Sequence, residues 1–270
     1  MNILITLVIA ILPVYLIGLY VYKMDNEKES SKLLTKLFLF GMLSCIPAAV
    51  IEFIVEPLFG TIDKSNLTFL FIYVSLGIAL VEELCKWFLV YRIGYNNKEF
   101  NQVYDALVYC VFVSLGFACF ENIFYVFASK DILTGILRAL TAIPGHASDA
   151  IIMGNYLGLA KMTSLNNNKN SVSKYLLLSI LMPTLAHSIY DYCLFTEQLI
   201  FIIIFMIFLI FIYVYSIRKI KKLSRNNNVF NINNSTNNNN YVNISSINYC
   251  SNCGTKVNGN FCCNCGKKLK

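Results

Sequence analysis

Seven long apolar stretches, at about residues 3–22, 36–55, 67–90, 104–128, 132–160, 174–195 and 198–217, constrain what this chain can become. Each supplies the ~20 residues that a helix needs to cross a bilayer. Hydrocarbon offers no water to backbone N–H and C=O groups, so a crossing segment closes its hydrogen bonds internally as a helix. The expected fold is all-α, a polytopic bundle of about seven spans. Composition agrees, since only 14% of residues are charged, against about 25% in a soluble domain. No basic segment precedes the first span and no small-residue cleavage site follows it before Lys23. It therefore reads as a retained helix rather than a signal peptide. The stretch 132–160 holds Arg138, Pro144 and His146. It can be read as a half-helix, a break and a second helix, which is tolerated where backbone is buried or lines a cavity.

Lysine and arginine placement suggests an orientation. Lys23, Lys28 and Lys32 flank the first connection, Arg92 and Lys98 the third, and Lys161, Lys169 and Lys174 the fifth. Arg218, Lys219, Lys221, Lys222 and Arg225 follow the last span, whereas the alternate connections hold only Lys64 and Lys130. The positive-inside rule makes the richer set cytoplasmic. The expectation is a multi-pass protein of the cell membrane with its N-terminus outside and its C-terminus inside. The net charge of +7 then reflects membrane flanks, which argues against nucleic acid as a partner.

Three parts are expected: a membrane domain over 1–222, an Asn-rich linker over 223–248 and a zinc ribbon over 249–270. The polar linker cannot bury enough apolar surface to order itself. Beyond it, Cys250-x-x-Cys253-Gly254 and Cys262-Cys263-Asn264-Cys265-Gly266 form paired knuckles. Four thiolates at this spacing, Cys250, Cys253, Cys262 and Cys265, suit one tetrahedral structural Zn²⁺. Cys263 is spare. A disulfide knot is disfavoured on the reducing side of the membrane. So small a segment takes its stability from the metal. A peptide covering 247–270 is expected to bind one Zn²⁺ with proton release, and Cys253→Ser to abolish its folding; optical titration with Co²⁺ would report both. Such a ribbon suits binding of a cytoplasmic protein partner.

Four polar clusters interrupt the spans. A charge at the centre of a membrane helix costs about 2.5–3.5 kcal/mol on insertion scales, so clusters in four helices point to a shared wet site. Glu82 and Glu83 lie one turn before Lys86, which can hold one carboxylate ionised and leave the other for chemistry. Glu121 follows Phe117 by one turn and precedes Asn122; an interhelical hydrogen bond is its bland explanation. His146 follows Pro144-Gly145, with Asp149 one turn on as a partner. His187 and Asp191 share a face, so Asp191 can accept the second ring N–H of His187 and fix its tautomer. Glu52, Glu56, Asp105 and Arg138 read as residues of span ends, and Cys45, Cys85, Cys110, Cys119 and Cys193 as small core residues. This inventory can activate water in two ways. A glutamate can act as general base with histidine as proton shuttle and Asn or His stabilising an oxyanion. Alternatively, Glu and His can hold a catalytic Zn²⁺. Neither H-E-x-x-H nor H-x-x-E-H is present, and both mechanisms stay open.

In this order and on separate spans, Glu82-Glu83-x-x-Lys86, Phe117-x-x-x-Glu121-Asn122, the His146 region and His187-x-x-x-Asp191 resemble the motifs of the PrsW family of intramembrane proteases. The likeness covers roughly residues 35–195. It implies cleavage of a membrane-anchored regulator, anti-sigma factors above all. The family is distantly similar to the type II CAAX prenyl endopeptidases. Lys86 replaces the arginine spacing of that group, and Glu121 stands where it would place histidine, which argues against a prenyl-protein substrate. The expectation is an intramembrane peptidase in the lipid bilayer whose site comprises Glu82, Glu83, Lys86, Glu121, Asn122, His146, His187 and Asp191. A non-enzymatic sensor or scaffold, in which the zinc ribbon binds a cytoplasmic partner, is the rival. A transporter with a proton relay is the other, against which no inverted repeat is visible in the motif order.

Overall fold

In the computed structural model the described residues are 3–225, apart from 61, 63, 130 and 166–168, together with 248–249 and 256–257. Nine α-helices follow one another there: α1 (Ile3–Met24), α2 (Ser31–Val55), α3 (Leu67–Tyr73), α4 (Leu80–Leu89), α5 (Val103–Ser129), α6 (Ile132–Leu140), α7 (Ala142–Leu165), α8 (Lys169–Phe195) and α9 (Leu199–Arg225). The fold is all-α, and six helical stretches of the described residues are long and apolar enough to cross a membrane. One of these stretches runs through α3 and α4 from Leu67 to Gly94, with π-helical turns at Val74–Ala79 and Val90–Gly94 on either side of α4. Such wide turns often mark functional sites.

The stretch 132–160 is split, as its composition allows. Asp131 caps α6, its carboxylate accepting from the backbone N–H of Leu133 and Thr134 at 3.1 and 2.9 Å. The break falls at Thr141, whose φ of −119° lies far from the usual helical value. Pro144 sits in the first turn of α7, where its missing N–H costs nothing. At 24 residues, α7 is long enough to cross at 1.5 Å per residue. Polar residues lower its mean hydropathy, and they face inward: His146, Ser148, Asp149 and Asn155 are all buried.

The central helix is α5, which packs against α1, α2, α4, α6, α7 and α9. Glycines allow two of these approaches. A Cβ on Gly41 of α2 would lie 2.1 Å from the carbonyl oxygen of Val113, and one on Gly116 of α5 2.1 Å from that of Phe38. On α7, a Cβ at Gly154 would lie 2.5 Å from Leu107 Cα, and at Gly158 2.9 Å from Val103 O. Lipid gives helices no hydrophobic reason to associate, so close backbone packing through small residues takes that role. Gly41→Ala and Gly116→Ala are each expected to destabilise by about 3 kcal/mol or more, since backbone cannot yield as a side chain can. Gly18→Ala is the control, because its Cβ would meet Leu115 Cδ1 at an ordinary 3.5 Å. Melting in detergent micelles would order the three.

Polar contacts gather several connections at one end of the bundle. Asn26 Nδ2 donates to Ser224 O at 2.5 Å, Ser30 N to Glu99 Oε2 at 2.8 Å and Lys161 Nζ to Tyr95 O at 2.7 Å. The α1–α2 connection, the 95–102 loop and the end of α9 thus share an end, as the lysine and arginine pattern groups them. At this end burial pushes the Glu29 carboxyl up to about 9 and raises that of Asp25.

The chain divides into two compact units, Met1–Asn227 and Asn228–Lys270. In the second, Asn248–Tyr249 pairs antiparallel with Lys256–Val257. The four proposed zinc ligands lie outside the described residues.

Candidate active site

Each of the four polar motifs is carried by a different helix, and all four converge. On α4, the i, i+3 and i, i+4 spacings place Glu82, Glu83 and Lys86 together. Lys86 Nζ lies 3.1 Å from Glu82 Oε2, 2.8 Å from Glu83 Oε1 and 3.1 Å from His146 Nδ1 of α7. An ammonium has three donors and no acceptor, so these contacts use all three. His146 Nδ1 must then accept, which puts the ring proton on Nε2, 2.9 Å from Glu121 Oε2 of α5. Phe117, one turn before Glu121, lays its ring 4.2 Å from Lys86 Nζ. That contact gives the motif's phenylalanine a cation–π role against the buried ammonium.

On α8, His187 Nδ1 lies 3.0 Å from Glu83 Oε1 and Nε2 lies 3.3 Å from Asp191 Oδ2. Both ring nitrogens face carboxylates, so a proton taken up at one can leave from the other. The two imidazoles meet edge to face at 5.1 Å. Trp87 Nε1 donates to Ser179 Oγ at 2.8 Å and ties α4 to α8.

Two placements correct the reading of the sequence. Asp149 is not the partner of His146, whose nitrogens are engaged by Lys86 and Glu121; Asp149 is buried and lines the cavity below. Arg138, which the sequence reading set aside, belongs to the site. Its Nη2 lies 2.9 Å from Glu121 Oε2, its Nε donates to Asn122 Oδ1 at 3.3 Å, and its guanidinium stacks 3.9 Å over Tyr125. Asn122 therefore reaches the centre through Arg138. Only the break at Thr141, which lets α6 pack on α5 as a separate helix, could have disclosed this.

A cavity of about 930 Å³ opens onto the cluster. Glu82, Glu121, Arg138, His146, Asp149, His187 and Asp191 line it, as does Glu52 of α2. Glu83 and Lys86 are fully buried behind it. The remaining walls are mostly apolar, among them Ile46, Val50 and Phe53 of α2, Phe124 of α5 and Leu137 of α6, which also face outward.

The donor set fits a metal. Glu82, Glu83, His146 and His187 each offer one ligand atom, all within 4.8 Å of one another. Carboxylate and imidazole donors suit Zn²⁺. Glu83 Oε2 is buried without a hydrogen-bond partner among the described residues, so its lone pairs are available to a cation. Loading would require the Lys86 ammonium to give up some of its three contacts.

The family model described as PrsW family intramembrane metalloprotease matches residues 29–216. The chain belongs to the PrsW family. It is 35% identical to the protein named Protease PrsW of Geobacillus kaustophilus over 68% of this chain and 77% of that one. It is 37% identical to that of Oceanobacillus iheyensis over 65% and 76%, and 33% identical to that of Bacillus subtilis over 65% and 76%. No solved structure gives a significant match. The chain is thus an intramembrane peptidase and a multi-pass membrane protein. The scaffold and transporter readings give way, because neither accounts for membership of a protease family.

Proposed function

We propose that this PrsW protein hydrolyses a peptide bond in a membrane-anchored regulatory protein, of the kind represented by anti-sigma factors, at the cavity between α2, α5, α6 and α8. The observation that carries this reading is the cavity's two-sided character. A dense polar centre forms its floor, and outward-facing apolar residues of α2, α5 and α6 form its mouth. An apolar helical segment can approach through such a mouth without leaving lipid, whereas a soluble peptide gains nothing from it.

In this reading Glu82, which faces the cavity, takes the proton of the attacking water, and the cluster around Lys86 holds its carboxylate in place. His187 receives that proton and passes it to the leaving amine, and Asp191 orients the ring. Arg138, backed by Glu121 and Asn122, faces the developing oxyanion, and His146 links Lys86 to Glu121 and so holds that carboxylate in place. Glu83 is a positioning residue that joins Lys86 to His187. A Zn²⁺ held by Glu82, Glu83, His146 and His187 would lower the pKa of its bound water. The ribbon, with a structural Zn²⁺ on Cys250, Cys253, Cys262 and Cys265, would bind a cytoplasmic partner.

Co-reconstitution with a single-span anti-sigma factor tests the reading. Wild type is expected to release a fragment cut within or beside the span, and the same sequence without its span is expected to stay intact. Equal cleavage of both would end the membrane-substrate reading. The lysine-rich end is proposed to be cytoplasmic, so a cysteine introduced at position 97 should resist an impermeant thiol reagent in intact cells while one at position 65 reacts.

A further inference from the structure

A second group of carboxylates lies apart from the protease centre. Asp25 and Glu29 belong to the α1–α2 connection, and Asp105 to the first turn of α5. One oxygen from each lies within 4.8 Å of the others. The three residues are 3%, 5% and 0% exposed. One oxygen of each is held by a donor: Asp25 Oδ1 by Glu27 N at 3.2 Å, Glu29 Oε2 by Tyr109 Oη at 2.7 Å, and Asp105 Oδ2 by Asn101 N and Gln102 N at 2.8 and 2.7 Å. Asp25 Oδ2 and Asp105 Oδ1 are buried with no hydrogen-bond partner among the described residues.

Among the surrounding charges, Lys28 gives Asp25 a part of the compensation it needs. Lys28 directs its Nζ to the carbonyl oxygens of Tyr22, Lys23 and Asp25. Glu27 and Glu99, the other acids at this end, add negative charge and are engaged by Gln102 Nε2 and by Ser30. Buried carboxylates with lone pairs unused call for a cation or a shared proton. We propose that Asp25, Glu29 and Asp105 bind a hard divalent cation of the Mg²⁺, Ca²⁺ or Mn²⁺ class. The donors are all oxygen, with no histidine or thiolate among them, which suits such ions and not Zn²⁺ or Cu²⁺. The bound ion pins the α1–α2 connection to the start of α5, at the end where α9 also terminates, and so links three helices by one contact. This site is independent of the proteolytic reading.

The test uses Mn²⁺ as probe and the purified full-length protein in detergent, with bound ion followed by electron paramagnetic resonance. Wild type is expected to bind Mn²⁺, and His187→Ala, which alters the protease centre, to keep that binding. Asp25→Asn, Glu29→Gln and Asp105→Asn are each expected to weaken it about tenfold or more, because charge count sets affinity at such sites. Mn²⁺ should raise the melting temperature of wild type and not of these variants. Asp25→Asn and Glu29→Gln change single atoms at residues of a connection, so the test stands even if Asp105→Asn does not fold. Binding lost in His187→Ala and kept in the two connection variants would overturn the proposal. So would the absence of binding at millimolar Mn²⁺, which would leave protons shared between carboxyls as the way the cluster is neutralised.

Discussion

Glu82→Gln and His187→Ala are each expected to lower cleavage of a membrane-anchored substrate by about 10²–10⁴-fold, the range that a positioned proton-transfer group contributes. Glu121→Gln is expected to lower it by about 10²–10³-fold, the range of a disturbed oxyanion donor. Protein level and melting temperature should stay near those of wild type. The reason is the redundancy of the buried network. Lys86 keeps Glu83 and His146 when Glu82 is neutralised, and Arg138 keeps an amide oxygen to bond when Glu121 becomes glutamine. Groups that act on one reacting centre are strongly non-additive. The double variant Glu82→Gln/His187→Ala should therefore be little worse than the poorer single variant. Asp191→Asn should be milder than His187→Ala, because it disturbs the orientation of the imidazole and not its presence. If the clusters merely tie helices together, the pattern inverts: melting temperature falls and the remaining activity tracks the remaining protein. Three stably folded variants with near wild-type cleavage would remove the assignment.

Lys86→Met should behave differently, with a loss of stability of about 3–5 kcal/mol, the cost of removing one partner from a buried ion pair. Its ammonium lies 1% exposed between two carboxylates and an imidazole. Without it, Glu82 and Glu83 face one another with no cation between them, and His146 Nδ1 loses its donor. Some of the loss should return in Lys86→Met/Glu83→Gln, since that change removes one of the two stranded charges. A thermodynamic cycle over the four proteins would give the coupling directly. Equal melting of Lys86→Met and wild type would mean that the ammonium is not the hub of the cluster. Cleavage should be lost in Lys86→Met and in the double variant alike, so stability and activity separate in this series where they stay together in a purely structural tie.

Pairs within one helix were legible from spacing alone. Glu82 with Lys86 and His187 with Asp191 are one turn apart, and 3.6 residues per turn places each pair on one face whatever the rest of the fold does. The apolar stretches were legible for a related reason, because lipid leaves a spanning backbone no choice but the helix. Even the break near Pro144 could be read, since a missing N–H is a local property. Contacts between helices were not. Whether His146 meets Asp149 or Lys86 and Glu121 depends on the rotation and depth of α7 against α4 and α5, which no periodicity in α7 encodes. Arg138 carries no signal of its role along the chain; once the chain turns at Thr141, α6 lies on α5 and its arginine meets Glu121. Nothing along the chain joins Asp25 and Glu29 to Asp105, and they become a buried group because the α1–α2 connection folds over the start of α5. The glycines at 41, 116, 154 and 158 set how near those helices come. A glycine declares only the absence of a side chain, and the backbone that occupies the space belongs to another helix.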